Sequence, residues 1–281
     1  KLLSRATAGH AASIGISGAA SFACADLLSG AFGWQSAFLV AATTALMAWL
    51  MVALLAPRRI IPLLPLADGH ALYDFRPVFR NRSAMAYAIA YCIHTLEMNA
   101  LRGWGVAFLA YVAVSTGAEA RFSPTYVLTA LGVIGTFASV FGNEAAIRWG
   151  RRRLITLAML ASVTVSGSIG FVGTLSYAVA VVLLLIYGFV VWLDSSSLTA
   201  GTAGTAEPSR RGATLAVHSM LGYSGGFVGP LMIGYTLDLA GGMSRLAWGV
   251  AFMLVALLML LALVAFRLMR PRELIGDRGT H

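Results

Sequence analysis

Residues 124–175 read PTYVLTALGVIGTFASVFGNEAAIRWGRRRLITLAMLASVTVSGSIGFVGTL, two long apolar runs joined by the short basic segment 148–153. Each run is long enough for a helix that crosses a bilayer, which needs ~20 apolar residues. The whole chain is similarly apolar, since 59% of its 281 residues are hydrophobic and only 11% are charged. Soluble domains carry about 25% charged residues. The composition therefore excludes a disordered chain, a disulfide-stapled secreted domain and a conventional cytosolic enzyme, and it predicts an all-α polytopic membrane protein.

Eight apolar segments are long enough to be transmembrane helices. Of the eight prolines, only Pro230 falls inside a segment, where it would kink the helix. Segment 57–82 mixes prolines and charges, which is typical of a linker between two helix bundles. The chain is thus divided into residues 1–56, the linker 57–82, a bundle at 83–270 and a tail at 271–281. The predicted helices cover residues 7–29, 35–56, 83–112, 124–147, 154–173, 177–202, 212–237 and 246–268.

The basic residues predict the orientation in the membrane. When the connections are assigned to alternate sides, seventeen of the twenty basic residues fall on one side. Arg121 and Arg245 fall on the other side, and Arg102 lies inside a span. An excess of Lys and Arg marks the cytoplasmic side, so both ends of the chain and the linker are predicted to be cytoplasmic. The net charge of +9 forms no continuous basic stripe, so no nucleic-acid partner is expected.

The first and seventh predicted helices form an internal repeat with a constant offset. Ala6-Thr7 matches Ala213-Thr214, Gly15 matches Gly222, and Ser17-Gly18 matches Ser224-Gly225. Both copies cross the membrane in the same direction. Parallel repeats of this kind relate the two bundles of some secondary transporters by an axis along the membrane normal.

With this repeat, the sequence resembles the major facilitator superfamily of secondary transporters over essentially its whole length. Segment 33–38 (GWQSAF) is similar to the start of that family's sixth helix, and a proline- and arginine-rich linker follows it. Segment 148–153 (RWGRRR) is similar to the cytoplasmic loop motif of the second half, and segment 225–230 (GGFVGP) to its Gly–Pro helix. The resemblance implies two six-helix bundles, of which this chain holds helices five to twelve. The first bundle is therefore expected to be incomplete, with eight transmembrane helices present.

The resemblance also implies roles on the cytoplasmic side and at a helix contact. Ile147 stands where the loop motif normally has an acid, and Glu144, one turn earlier, has the spacing to pair with Arg148. The predicted loop motif and gate consist of Glu144, Arg148, Gly150, Arg151 and Arg152. Gly225, Gly229 and Pro230 are predicted to provide helix packing and a kink.

The third predicted helix carries an unusual set of polar residues. Tyr91, His94 and Arg102 fall within about 80° of one face of this helix, at 100° per residue. Glu97 flanks that face, about 21 Å from the cytoplasmic start of the helix and so near the middle of the bilayer. A carboxylate at that depth costs at least ~2.5 kcal/mol unless it faces protein or water. We therefore predict a substrate or proton site, with Glu97 accepting the proton and Arg102 contacting an anion; a structural hydrogen bond is the alternative.

Asp194 is the other acid deep inside a predicted span, in the cytoplasmic half of its helix. In the resembling family the tenth helix borders the central cavity, which implies a place for Asp194 in the pathway. A capping or inter-helix hydrogen bond is an equally good interpretation. The predicted pathway thus comprises Tyr91, His94, Glu97, Arg102 and Asp194. The two cysteines lack the spacing of a metal or redox site, and no cofactor or metal is expected.

An intramembrane serine protease is the enzyme alternative to a transporter. The motif at 15–18 (GISG) with His218 has the residue types of an intramembrane serine protease. The repeat reproduces it at 222–225 (GYSG), and small residues at both places are better explained by close helix packing. A channel is disfavoured because no filter sequence or ring of charges is visible.

The sequence therefore predicts a monomeric secondary active transporter in a bacterial inner membrane. The resemblance is loosely to bacterial sugar- and drug-efflux permeases, so the protein is expected to move a small solute by alternating access, driven by protons and in the direction of efflux. A uniporter or an uptake symporter of the same fold is the alternative. Its partners are expected to be the lipid bilayer, the solute and protons.

Overall fold

The computed structural model describes residues 2–56, 74–119, 122–275 and 277, and all regular structure within them is helical. The predicted all-α fold is therefore confirmed. Two 3-10 turns, Gly173–Leu175 and Pro208–Arg210, precede α7 and α9. The helices are α1 (Leu2–Phe32), α2 (Trp34–Leu55), α3 (Arg76–Arg80), α4 (Arg82–Thr116), α5 (Pro124–Trp149), α6 (Arg151–Val172), α7 (Tyr177–Trp192), α8 (Ser195–Thr205), α9 (Arg211–Leu239) and α10 (Arg245–Met269).

Six segments of the described chain are long and apolar enough to cross a membrane. Helices α4 and α9, with 35 and 29 residues, are long enough but less apolar. The lower hydropathy of α4 has a plain cause, since this helix carries His94, Glu97 and Arg102 in its middle turns. The count of eight spans therefore stays a prediction. The six segments are Ala12–Phe32, Trp34–Leu55, Pro124–Trp149, Arg151–Leu175, Tyr177–Thr205 and Arg245–Met269.

The predicted linker lies mostly outside the described residues. Residues 57–73 are not among them, and the remainder contains the short helix α3. Asn81 then starts α4, because its side-chain oxygen accepts a hydrogen bond from the Ala84 N–H at 3.1 Å.

The predicted continuous helix over residues 177–202 is interrupted in the structure. Helix α7 ends at Trp192, and α8 begins at Ser195. At the interruption the Leu193 N–H bonds to the Val190 carbonyl three residues back instead of four. Gly142 of α5 lies directly against the Leu193 carbonyl, so a close helix crossing coincides with the interruption. The result is that Asp194 stands at a break between two helices.

Glycines bring the long helices into close contact. Helix α9 packs along α4, where Gly225 lies against the Cys92 carbonyl and Gly229 against the Leu96 carbonyl. Helix α1 packs along α5, where Gly15 lies against Thr136 and Gly132 lies against Ala19. The repeated glycines of α1 and α9 thus both occupy helix crossings at which a methyl group would collide with the neighbouring helix.

We call the face at which α4, α6 and α9 begin and α5, α8 and α10 end the Arg-rich face. Its arginines in the described chain are Arg80, Arg82, Arg148, Arg151, Arg152, Arg153, Arg210, Arg211, Arg267, Arg270 and Arg272. The start of α4 meets the end of α8 there, since the Asn81 amide donates to the Thr205 carbonyl at 2.9 Å. It also meets the end of α10, since Arg82 donates to the Leu268 carbonyl at 2.6 Å. The start of α4 thus lies beside the ends of α8 and α10, as expected when α4 runs in the opposite direction to these two helices. Helix α2 packs against α1, and none of its side chains is buried within the described part of the chain.

Candidate functional site: a buried polar cluster

A buried pair of ionisable side chains joins α4 to the break between α7 and α8. His94 Nδ1 lies 3.0 Å from Asp194 Oδ1, and the two side chains are only 2% and 5% exposed. The backbone carbonyl of Asp194 accepts a hydrogen bond from Leu198 N–H and so starts α8, which leaves the carboxylate for His94. When His94 is protonated, this contact is a buried salt bridge.

Glu97 lies one helical turn beyond His94 and is 1% exposed. The Tyr187 hydroxyl on α7 donates to Glu97 Oε1 at 2.7 Å, and the Ser162 hydroxyl on α6 donates to Oε2 at 3.1 Å. Each carboxylate oxygen thus has a partner, as a buried carboxylate requires. We call His94, Glu97, Asp194, Ser162 and Tyr187 the buried polar cluster.

Tyr91 connects this cluster to α9. Its ring stacks on His94 with centroids 5.7 Å apart and on His218 with centroids 4.0 Å apart. His218 is 3% exposed, and its Nδ1 lies 3.1 Å from the Thr202 hydroxyl of α8. The contact between α9 and α4 therefore buries the His218 ring inside the helix assembly.

Arg102 lies apart from the buried polar cluster. The guanidinium is half-buried and points to α1, where a Cβ atom on Gly18 would stand 2.5 Å from Nη2. Arg102 follows His94 by eight residues, which places it about 12 Å further along α4. The structure therefore brings His94, Glu97, Asp194 and Tyr91 together and places Arg102 at a different contact.

At the Arg-rich face, Glu144 pairs with α1 rather than within its own helix. Arg5 Nε lies 2.9 Å from Glu144 Oε1, and Arg5 Nη2 donates to Oε2 at 3.1 Å. This hydrogen bond raises the pKa of the Arg5 guanidinium above its ordinary value. Arg148, the partner expected from the i,i+4 spacing, is exposed. Glu144 thus forms its ion pair with Arg5 of the crossing helix α1, while Arg148 is near enough to act on the Glu144 carboxylate electrostatically.

Gly150 of the predicted loop motif makes a turn, and Arg151 and Arg152 bind the chain segment that follows α10. Gly150, with φ of 97°, makes the turn between α5 and α6 that a side chain would strain. Arg151 is fully buried, and its Nε lies 3.0 Å from Asp277 Oδ2. Glu273 accepts from the backbone N–H groups of Arg151 and Arg152, which start α6. An acid at a helix N-terminus is stabilising.

Comparison with protein families identifies the family of this chain. The family model described as Major Facilitator Superfamily matches residues 1–230, which is most of the chain. The chain belongs to the major facilitator superfamily. No curated protein matches it. The family, predicted from the sequence repeat and the loop motif, is thereby confirmed, and members of this family are membrane transporters, not enzymes.

In this major facilitator protein, the serine-protease arrangement is not formed. The Ser17 hydroxyl donates to the Ile14 carbonyl of its own helix at 3.0 Å, and His218 contacts Thr202. Sequence reasoning missed Ser162 and Tyr187, the two donors to Glu97. Both lie in apolar helices far away in the chain, and a lone hydroxyl in such a helix carries no signal of its own.

Proposed function

We propose that this protein is a proton-coupled secondary transporter that works by alternating access, with the buried polar cluster as its proton-binding site. The observation that carries the proposal is the cluster's charge. One base and two acids, His94, Asp194 and Glu97, lie together with at most 5% of any side chain exposed. If all three are charged, the cluster holds one excess negative charge in a medium that penalises it strongly.

Uptake of one proton removes that excess charge. The cluster then has two states that differ by one proton and by one unit of charge, and the neutral state is favoured inside the protein. Tyr187 and Ser162 hold the Glu97 carboxylate from α7 and α6, while His94 holds Asp194 at the break before α8. A change of protonation therefore acts on contacts among four helices at once, which is what coupling to a conformational change needs.

The contact between Arg5 and Glu144 supports a gate at the Arg-rich face. Arg5 belongs to the helix before the linker, and Glu144 belongs to the bundle after it. The two side chains are 61% and 33% exposed, so water screens the pair and its contribution to stability is small. A contact this weak can close the face in one state and open it in another without a large barrier. We assign Arg148, Gly150, Arg151 and Arg152 to the same inner gate.

The remaining parts of the proposal rest on sequence. The asymmetry of basic residues supports an orientation with the Arg-rich face in the cytoplasm. We propose that the membrane is a bacterial inner membrane. The likeness to bacterial sugar- and drug-efflux permeases supports export of the solute. We propose that one copy of the chain works as a monomer in the bilayer.

The test is proton movement in proteoliposomes that contain the full-length protein and a pH-sensitive dye. Sugars, organic acids and cationic drugs are added outside under an imposed proton gradient. We expect saturable, solute-dependent proton movement that Glu97→Gln abolishes and Asp238→Asn, a matched change of an exposed carboxylate, preserves. Counterflow of a solute without proton movement would identify a uniporter. Proton-coupled transport that survives Glu97→Gln would remove Glu97 from the mechanism.

A further inference from the structure

A groove lies at the Arg-rich face, between the start of α6 and the end of α10. Four exposed arginines line it, two from each helix: Arg152, Arg153, Arg267 and Arg270. We call it the basic groove. Its free volume is about 790 Å³, which is in the range of pockets that hold a ligand.

The basic groove carries an excess of positive charge. Arg152 Nε lies 3.5 Å from Glu273 Oε1, so one of the four arginines has an acidic partner. Among the described residues, no carboxylate forms an ion pair with the other three arginines. Arg152 and Arg153 also stand in the first turn of α6, where the helix dipole favours a negative charge. The groove therefore attracts an anion.

The wall of the groove continues as an apolar surface along the two helices. Leu157 and Leu160 line the groove on α6 and are 52% and 45% exposed. They follow Arg153 by one and two helical turns, so they lie deeper in the membrane than the arginines. On α10, Leu261 and Val264 precede the arginines and are exposed as well. A cationic end at the membrane surface is thus joined to an apolar surface that acyl chains can cover.

The basic groove is built by the second helix bundle alone. All of its lining residues belong to segments 152–160 and 266–271. Helix α10 packs along α6 and α4, whereas α1, which precedes the linker, packs on α2, α5 and α8. The charge and shape of the groove are therefore set by helices that the structure describes.

Arg270 lines the groove from a backbone conformation that glycine usually adopts. It ends α10 with φ of 49° and ψ of 59°, and it is the one residue other than glycine with a positive φ in the described chain. Glycine is favoured at such a helix end because a side chain is strained there. Strained residues of this kind cluster at functional sites, so the backbone supports a binding role for the Arg270 guanidinium.

We infer that the basic groove binds the headgroup of an anionic membrane phospholipid. A guanidinium forms two parallel hydrogen bonds with a phosphate, and basic pockets between transmembrane helices bind such headgroups. The phosphodiester binds among the arginines, and the acyl chains lie along Leu157 and Leu160. One lipid thus bridges α6 and α10 at the Arg-rich face. This binding does not depend on the proposed proton coupling, because no residue of the groove belongs to the buried polar cluster.

The test titrates purified full-length protein in detergent with dioleoyl phosphatidylglycerol, an anionic lipid, and with dioleoyl phosphatidylcholine, a zwitterionic lipid with the same acyl chains. Native mass spectrometry counts the bound lipids. We expect one phosphatidylglycerol to bind much more tightly than phosphatidylcholine. The double variant Arg153→Gln, Arg267→Gln removes one arginine from each wall and should weaken phosphatidylglycerol binding about 10- to 100-fold.

A charge-matched control is the double variant Arg80→Gln, Arg211→Gln. It removes two exposed arginines from the same face but outside the basic groove, and it should leave phosphatidylglycerol binding unchanged. Inorganic phosphate should not displace the lipid, because it has no acyl chains to cover the apolar wall. All four substituted side chains are exposed, and thermal unfolding checks that each variant is folded.

Four results would overturn the inference. Equal binding of the two lipids, or wild-type affinity in the Arg153→Gln, Arg267→Gln variant, would show that the groove does not recognise the headgroup. An equal loss of affinity in the charge-matched control would indicate a general attraction of anionic lipid to the Arg-rich face. Displacement of phosphatidylglycerol by inorganic phosphate would indicate a site for a soluble anion instead of a lipid.

Discussion

The contact between His94 and Asp194 should be one of the strongest single interactions in the bundle. At 3.0 Å, two opposite charges attract by about 5.5 kcal/mol at an effective dielectric constant of 20. The cost of removing both groups from water offsets part of this. Close charge pairs across a protein–protein interface couple by about 1.5–7 kcal/mol in double-mutant cycles. We therefore expect a coupling energy of about 2–4 kcal/mol between these two side chains.

The assay is a double-mutant cycle with His94→Gln, Asp194→Asn and the double variant. The free energy of unfolding is measured by titrating the purified protein from dodecyl maltoside into SDS. Each single change leaves a buried polar group without its charged partner, whereas the double change leaves a neutral pair. The double variant should therefore lose about 2–4 kcal/mol less than the sum of the single variants. Additive losses, within about 0.5 kcal/mol, would refute an ion pair between these side chains.

Three other contacts give further predictions. Gly225→Leu should separate α9 from α4, because its side chain would enter the Cys92 carbonyl, and protein extracted in detergent should unfold or aggregate; a normal thermal unfolding curve would contradict this packing. Arg5→Glu should open the Arg-rich face, which is measured as faster labelling of cysteines introduced beneath the pair. The double variant Arg5→Glu, Glu144→Arg should restore slow labelling. A labelling rate that neither change affects would exclude the gate. Arg151→Met should lower the free energy of unfolding by about 3–5 kcal/mol, because it removes the buried guanidinium that contacts Asp277 and the Ser197 carbonyl. A loss below about 1 kcal/mol would contradict a stabilising role for this buried ion pair.

The helices were predictable because their signals are local, and the family was predictable because the internal repeat and the loop motif can be read directly from the sequence. Apolar runs of more than 20 residues mark the spans, and residues such as Gly150 mark their joints. The interruption at Asp194 was not predictable in this way, because it coincides with a close approach of Gly142 on another helix. Local patterns do not contain that contact.

Part of the candidate site could likewise be predicted from local patterns, and the rest depends on contacts between distant helices. The unusual composition of α4 identified His94 and Glu97, but the donors to Glu97 lie 65 and 90 residues away on other helices. A helical wheel places Arg102 beside His94 because it shows only the angle around the helix axis. The two residues are about 12 Å apart along that axis, so they lie in different environments. Glu144 was assigned to Arg148 by spacing, whereas Arg5, 139 residues away, offers two hydrogen bonds.

The buried polar cluster is proposed to bind one exchangeable proton. Infrared spectroscopy of the purified full-length protein measures this directly, because a protonated carboxyl group has a C=O band that an ionised one lacks. We predict a carboxyl band that titrates in the wild-type protein and disappears in the Glu97→Gln, Asp194→Asn double variant, while Asp238→Asn leaves it unchanged. A spectrum with no titrating band that depends on these two residues, at any pH at which the protein stays folded, would contradict the account.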